Sequence, residues 1–231
     1  MPARYWLFVF LTLALTAFMA YGAYTTARLL RTWVPDRNLL LMPAENLLRL
    51  ALIVLCIALG VLSGLPFSQL GWVWPQTTGQ LVGQIMAGIG WGVGLALFFY
   101  LATRWVTARG GGRFYSDTII AYITPGNGWE WGLVALSMAG VALLEELLFR
   151  SLLLGGLTPL APAWLLVLGL GALFGLMHSP QGVVGMVGAG LAGVIFGALF
   201  LWSGSLLLPL TAHYAANMVQ VTAAMFMEEE A

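Results

Sequence analysis

Apolar runs of about 17 to 25 residues match the thickness of a bilayer's hydrocarbon core when wound as α-helix. This 231-residue chain carries seven of them: 5–27, 47–65, 80–102, 131–155, 163–178, 182–202 and 205–227. In hydrocarbon every backbone N–H and C=O must be satisfied within the structure, which leaves closed barrels and helices. Continuous apolar runs, as opposed to alternating ones, select helices. The composition agrees, with 61% hydrophobic residues and only 8% charged against about 25% in soluble domains. The expected fold is all-α: a polytopic membrane helix bundle of about seven transmembrane helices plus a short interfacial helix. The first run is longer than the apolar core of a signal peptide, so it is expected to be a retained anchor.

Arginine placement sets the expected orientation. Arg28, Arg31, Arg37 and Arg49 cluster between or at the edges of the first two runs, and Arg104, Arg109 and Arg113 follow the third. The linker 66–79 has no charge. Both arginine-rich loops should face the cytoplasm, with the N-terminus outside and the C-terminus inside. Arg4 alone opposes this. Residues 1–130 then form an N-terminal unit of three helices with cytoplasmic loops and an interfacial segment. Residues 131–227 form a four-helix core, and 228–231 an acidic tail of solvated glutamates.

Within 110–128, the run Gly110-Gly111-Gly112 reads as a hinge. Phe114-Tyr115 and 119–123 read as a short interfacial helix, and Pro125-Gly126-Asn127-Gly128 as a turn. Glycines four apart (Gly79 and Gly83, Gly171 and Gly175, Gly193 and Gly197) are expected to let helix backbones approach. Gly88, Gly90, Gly92 and Gly94 add a small-residue face to the third run. The single cysteine, Cys56, excludes an internal disulfide and reads as a small buried hydrophobe. Zero formal net charge gives no basis for a nucleic-acid partner. Nothing in the pattern specifies an oligomeric state.

Three of the apolar runs carry polar groups that hydropathy does not explain. The fourth holds Glu145, Glu146 and Arg150, the fifth ends in Phe174-Gly175-Leu176-Met177-His178, and the seventh contains His213 and Asn217. A charge at mid-bilayer costs about 2.5 to 3.5 kcal/mol on insertion scales, so three at one level need partners or a function. Glu146 and Arg150, four apart, share a helix face and should pair. Glu145 points about 100° away and is left for another partner. His213 and Asn217 share a face, and Phe174 lies one turn before His178. Counted from the turns, Glu145, His178, His213 and Asn217 all fall in the middle of the bundle.

Brought together, these groups would supply a hydrolytic site. A carboxylate beside an imidazole holds and deprotonates water, while a second imidazole and a carboxamide offer N–H donors to an oxyanion. The same residue types also allow Glu145, His178 and His213 to be three ligands of a zinc ion. The short H-E-x-x-H form that marks many zinc sites is absent. Intramembrane Glu and His also build proton relays, so a proton-coupled carrier is an alternative class. A non-proteolytic immunity or scaffold protein is another.

E-E-x-x-F-R at 145–150, F-x-x-x-H at 174–178 and H-x-x-x-N at 213–217 resemble the motifs of the CPBP family. These are the CAAX prenyl protease and bacteriocin-processing, or Abi, intramembrane endopeptidases. Gly204-Ser205-Leu206 with Pro209 ahead of His213 is similar to the family's last motif. The resemblance covers about 131–217. It implies a glutamic endopeptidase with Glu145 as the water-activating base, His178 assisting, and His213 with Asn217 forming the oxyanion site. Glu146 and Arg150 would hold the fourth helix. The mechanism favoured needs no cofactor, zinc being the alternative. The implied substrate is a membrane-associated peptide or lipidated protein, and the implied location a prokaryotic cell membrane.

Overall fold

A computed structural model describes residues 1–30, 32–110, 116 and 118–228. Gly111, Gly112, Phe114 and Tyr115 of the expected hinge and interfacial segment, together with Arg31, Arg113 and residues 229–231, lie outside the described residues.

The described residues form eight helices and no strand: α1 (Ala3–Leu29), α2 (Pro43–Ser63), α3 (Thr78–Ala108), α4 (Thr118–Ile123), α5 (Gly128–Glu146), α6 (Ala163–Met177), α7 (Gly182–Ser203) and α8 (Leu207–Glu228). Each of the seven apolar runs is a helix, and the polytopic helical bundle is borne out. By length and apolarity, α1, α2, α3, the α5 span and the α7 span qualify as membrane-crossing. The protein is therefore an integral membrane protein. With 15 residues, α6 reaches only about 22 Å at 1.5 Å per residue, short of the roughly 30 Å core. Its hairpin with α7 closes through a single 3-10 turn, Ser179–Gln181.

Helix boundaries follow local chemistry. Asn127 caps α5 by accepting from the Glu130 N–H, and Glu130 reaches back to accept from the Gly126 N–H at 2.9 Å. This reciprocal arrangement satisfies two otherwise orphaned donors. Gly64, at φ 67°, ends α2 in the left-handed region, where glycine pays no Cβ penalty. The expected buried state of Cys56 is observed.

The fourth run does not continue as α-helix. Beyond Glu146 it becomes a nine-residue π-helix, Leu147–Gly155, every residue of which is buried. Such wide turns are rare and concentrate at functional sites. The loop that joins α2 to α3 folds over the far end of this segment. Gln69 donates to the Gly155 carbonyl, Trp72 to the Ser151 hydroxyl, and Ser151 to the Leu70 carbonyl. From α1, the Tyr5 hydroxyl reaches the Gly156 carbonyl at 2.9 Å. Backbone acceptors freed by the irregular helix thus find partners without water.

Two glycine expectations need correction. Gly171 and Gly175 do meet α7 closely at Gly190, and Gly193 packs on Gly171 and Phe174. On α3, Gly88 and Gly92 lie against Thr211, Ala212 and Ala215 of α8. Among the described residues, a Cβ added at Gly83, Gly90 or Gly94 would meet nothing within 4 Å, and one at Gly79 would meet Thr77 alone. Gly79 and Gly83 therefore serve no helix contact here, and the four-glycine face of α3 is half a face. Alternate residues of a helix point in widely different directions, so one strip meets α8 while the other is turned away.

Candidate active site

The α5 span is the most enclosed of the membrane-crossing helices, 56% buried over its apolar window against 22 to 28% for the others. Its charges therefore face protein instead of lipid. Glu146 and Arg150 are both essentially inaccessible and pair at 3.1 Å through Oε1 and Nη1. Arg150 Nη2 donates to the Gly193 carbonyl of α7 at 3.3 Å. The guanidinium carbon sits 5.2 to 5.8 Å from the ring centres of Phe149, Phe174 and Phe196. An aromatic cage of this kind adds cation–π attraction where water is excluded.

His213 of α8 lies between the two glutamates. Its Nδ1 is 2.8 Å from Glu146 Oε1, and its Nε2 is 3.5 Å from Glu145 Oε2. Arg150 keeps Glu146 an acceptor, so the short contact requires a proton on Nδ1. The ring stacks on Phe196 at 5.0 Å and 21°. Of the two carboxylates, Glu145 is the one with access, 21% exposed against 0% for Glu146.

His178 arrives differently. It is the residue that ends α6, where the last carbonyls lack helical partners. Its own N–H bonds to Gly175, leaving the Phe174 carbonyl to the ring Nδ1 at 2.7 Å. A carbonyl only accepts, so Nδ1 is protonated; in a neutral ring Nε2 is then the acceptor. Phe174 stands between the histidines, 4.4 Å from His178 and 5.9 Å from His213 by ring centres. Glu145 is brought to His213 and makes no polar contact with His178. Asn217 does not join the cluster directly. Its amide donates to Met138 Sδ at 3.4 Å, about two helical turns before Glu145 and against a weak acceptor.

Glu145, His178 and His213 are not brought together as a set of zinc ligands. Among the described residues no three His, Cys, Asp or Glu side chains gather as a metal ion would need.

Sequence reasoning missed Phe196 and Met138, apolar residues within apolar helices, and the bond between Glu146 and His213. It also passed over Arg49 as a chemical group. No periodicity marks these, because each depends on which helices become neighbours.

Residues 127–219 match the family model described as type II CAAX prenyl endopeptidase, Rce1-like. The match covers less than half of the chain but spans every residue of the cluster, so this segment is similar to an Rce1-like domain. The resemblance drawn from the three motifs is borne out at that level. Comparison with curated proteins gave no match, and comparison with solved structures gave none either.

Proposed function

We propose that this protein is an intramembrane endopeptidase that hydrolyses a peptide bond near the C-terminus of a membrane-associated substrate, prenylated or otherwise lipidated and CAAX-like. The observation that supports it most is the unequal surroundings of the two adjacent carboxylates within the Rce1-like segment. Glu146 is locked between Arg150 and His213, whereas Glu145 keeps an accessible oxygen opposite His213 Nε2.

In this reading Glu145 takes a proton from a water as its oxygen forms a bond to the scissile carbonyl carbon. The carbonyl electrons move to oxygen, and the oxyanion is held by N–H donors. His213 with both nitrogens protonated offers Nε2–H as a charge-assisted donor, the stronger kind. That proton also makes the Glu145, Glu146, Arg150 and His213 group electrically neutral, which a buried cluster requires. Asn217 can exchange its weak sulfur acceptor for substrate. His178 Nε2, as the neutral ring's lone-pair nitrogen, accepts a hydrogen bond from the water in this reading. Collapse of the intermediate breaks the C–N bond, and the proton first taken by Glu145 passes to the departing amine. Glu146, Arg150 and Phe174 position these groups.

The Rce1-like segment also supports a cytoplasmic opening, with the arginine-rich loops on that side of a prokaryotic cell membrane. Arg4, the exception in charge placement, lies against Gly64 at the C-terminal end of α2, where helix carbonyls favour a cation.

The test uses the purified full chain with a prenylated peptide carrying a C-terminal CAAX sequence, followed by mass spectrometry of the products. Cleavage lost in Glu145→Gln and in His178→Ala, with folding retained, is the expected result. Full activity in either variant would remove that residue from the mechanism. Proton-coupled vesicle uptake without cleavage would instead establish a carrier. Unchanged cellular phenotype in Glu145→Gln would establish a silent scaffold.

A further inference from the structure

Arg49 is an arginine on a membrane-crossing helix that the catalytic cluster does not use. It is half-buried on α2 and held from one side only. Nη1 donates to Asn46 Oδ1 at 2.6 Å and to the Ser137 hydroxyl of α5 at 2.8 Å. Those acceptors are themselves fixed. Asn46 Nδ2 donates to the Leu40 and Met42 carbonyls, and Ser137 donates to the Leu40 carbonyl at 2.6 Å. Gly140 of α5 leaves room for the arginine stem, since a Cβ there would come within 3.2 Å of Arg49 Cδ.

This accounts for both Nη1 hydrogens. The Nε–Nη2 edge has no hydrogen-bond partner among the described residues, and no carboxylate among them lies within 4.0 Å of Arg49. That edge is a rigid fork matched to the two oxygens of a carboxylate. The charge is also within electrostatic range of Glu45, one turn earlier on α2, and of Glu145.

We infer that Arg49 is a substrate-binding residue that receives the free C-terminal carboxylate of the peptide to be cleaved. The inference rests on the endopeptidase reading and names how that site selects its substrate. Distance supports it. In a C-terminal C-a-a-X motif no bond lies more than three residues from the terminal carboxylate, and three extended residues span about 10 to 11 Å. Along α5, Gly140 and Ser137, which flank Arg49, precede Glu145 by about 7.5 and 12 Å at 1.5 Å per residue. A carboxylate on Arg49 therefore places a bond of this motif at the level of Glu145. It also restricts cleavage to chain ends, since an internal peptide bond offers no second oxygen of negative charge.

The experiment compares one prenylated CAAX peptide as the free acid and as the C-terminal amide, with wild type and Arg49→Gln. Hydrogen bonds to charged groups correspond to roughly 10- to 100-fold. The expected result is that wild type prefers the acid by that factor in kcat/KM. Arg49→Gln loses the preference, cleaving acid and amide at equal kcat/KM. An equal loss on both peptides would mark Arg49 as only a clasp between α2 and α5, and overturn the inference. So would a wild type indifferent to the amide.

Binding of the same peptides to Glu145→Gln, with and without Arg49→Gln, separates this from the catalytic reading. Acid-selective binding that needs Arg49, in a protein that cleaves nothing, would sink the protease and leave the carboxylate site standing. Cleavage without acid selectivity would do the reverse, and the absence of both would overturn both.

Discussion

The α5 span and the helices around it solve opposite problems. Peripheral α1, α2, α3 and α7 keep most of their apolar surface outward, and the close contacts of α3 and α7 use glycine. Gly88 and Gly92 bring α3 against α8, while Gly171, Gly175 and Gly193 join α6 to α7. The α5 span turns inward instead and widens into a fully buried π-helix after Glu146. Small residues give close backbones without electrostatics, whereas charges demand enclosure by several neighbours at once. The contrast shows why the charged pair sits on one central helix: there Glu146 and Arg150 meet protein on all sides, while neighbouring Glu145 keeps a partial opening.

The sharpest way to break this contrast is to alter the two carboxylates separately. Glu145→Gln is expected to lower cleavage by about 10²- to 10⁴-fold, the usual worth of a general base, with an unchanged melting temperature. Loss of fold in that variant would make Glu145 part of the scaffold. Glu146 and Arg150 should behave in the opposite sense. Arg150→Met leaves Glu146 charged and buried beside only His213, and is expected to cost about 3 to 5 kcal/mol. Adding Glu146→Gln should restore part of that loss, as read by thermal unfolding in detergent. No recovery in the double variant would mean that Arg150 acts mainly through its aromatic cage.

Smaller effects probe the periphery. Gly92→Val drives a side chain into the backbone of α8 at Ala212 and should destabilise by about 1 to 3 kcal/mol. Gly94→Val, two residues on and in open space, should stay within about 0.5 kcal/mol. Equal effects would mean that the strip facing away from α8 is also packed. The smallest effect expected is that of metal removal. Activity measured after chelation, with metal analysis of the same preparation, should be unchanged, because Glu145, His178 and His213 do not gather as a ligand set. Loss on chelation and recovery with zinc would overturn that.

The sequence by itself determined the helices and what each helix carries. Apolar length specified the seven helical segments, Asn127 and Glu130 specified where α5 begins, and a spacing of four put Glu146 beside Arg150. All of these are local, resting on backbone hydrogen bonding and the 100° step between residues. Only the tertiary structure decided which helices touch. That placed His213 between both glutamates, set Phe174 between the histidines, and sent Asn217 to Met138. It also left Gly94 without a neighbour while burying Gly92. The physical reason is that apolar helices in a bilayer offer nearly equivalent faces to one another. Their neighbours are selected by shape and by a few polar bonds across helices, which no repeat along one segment records.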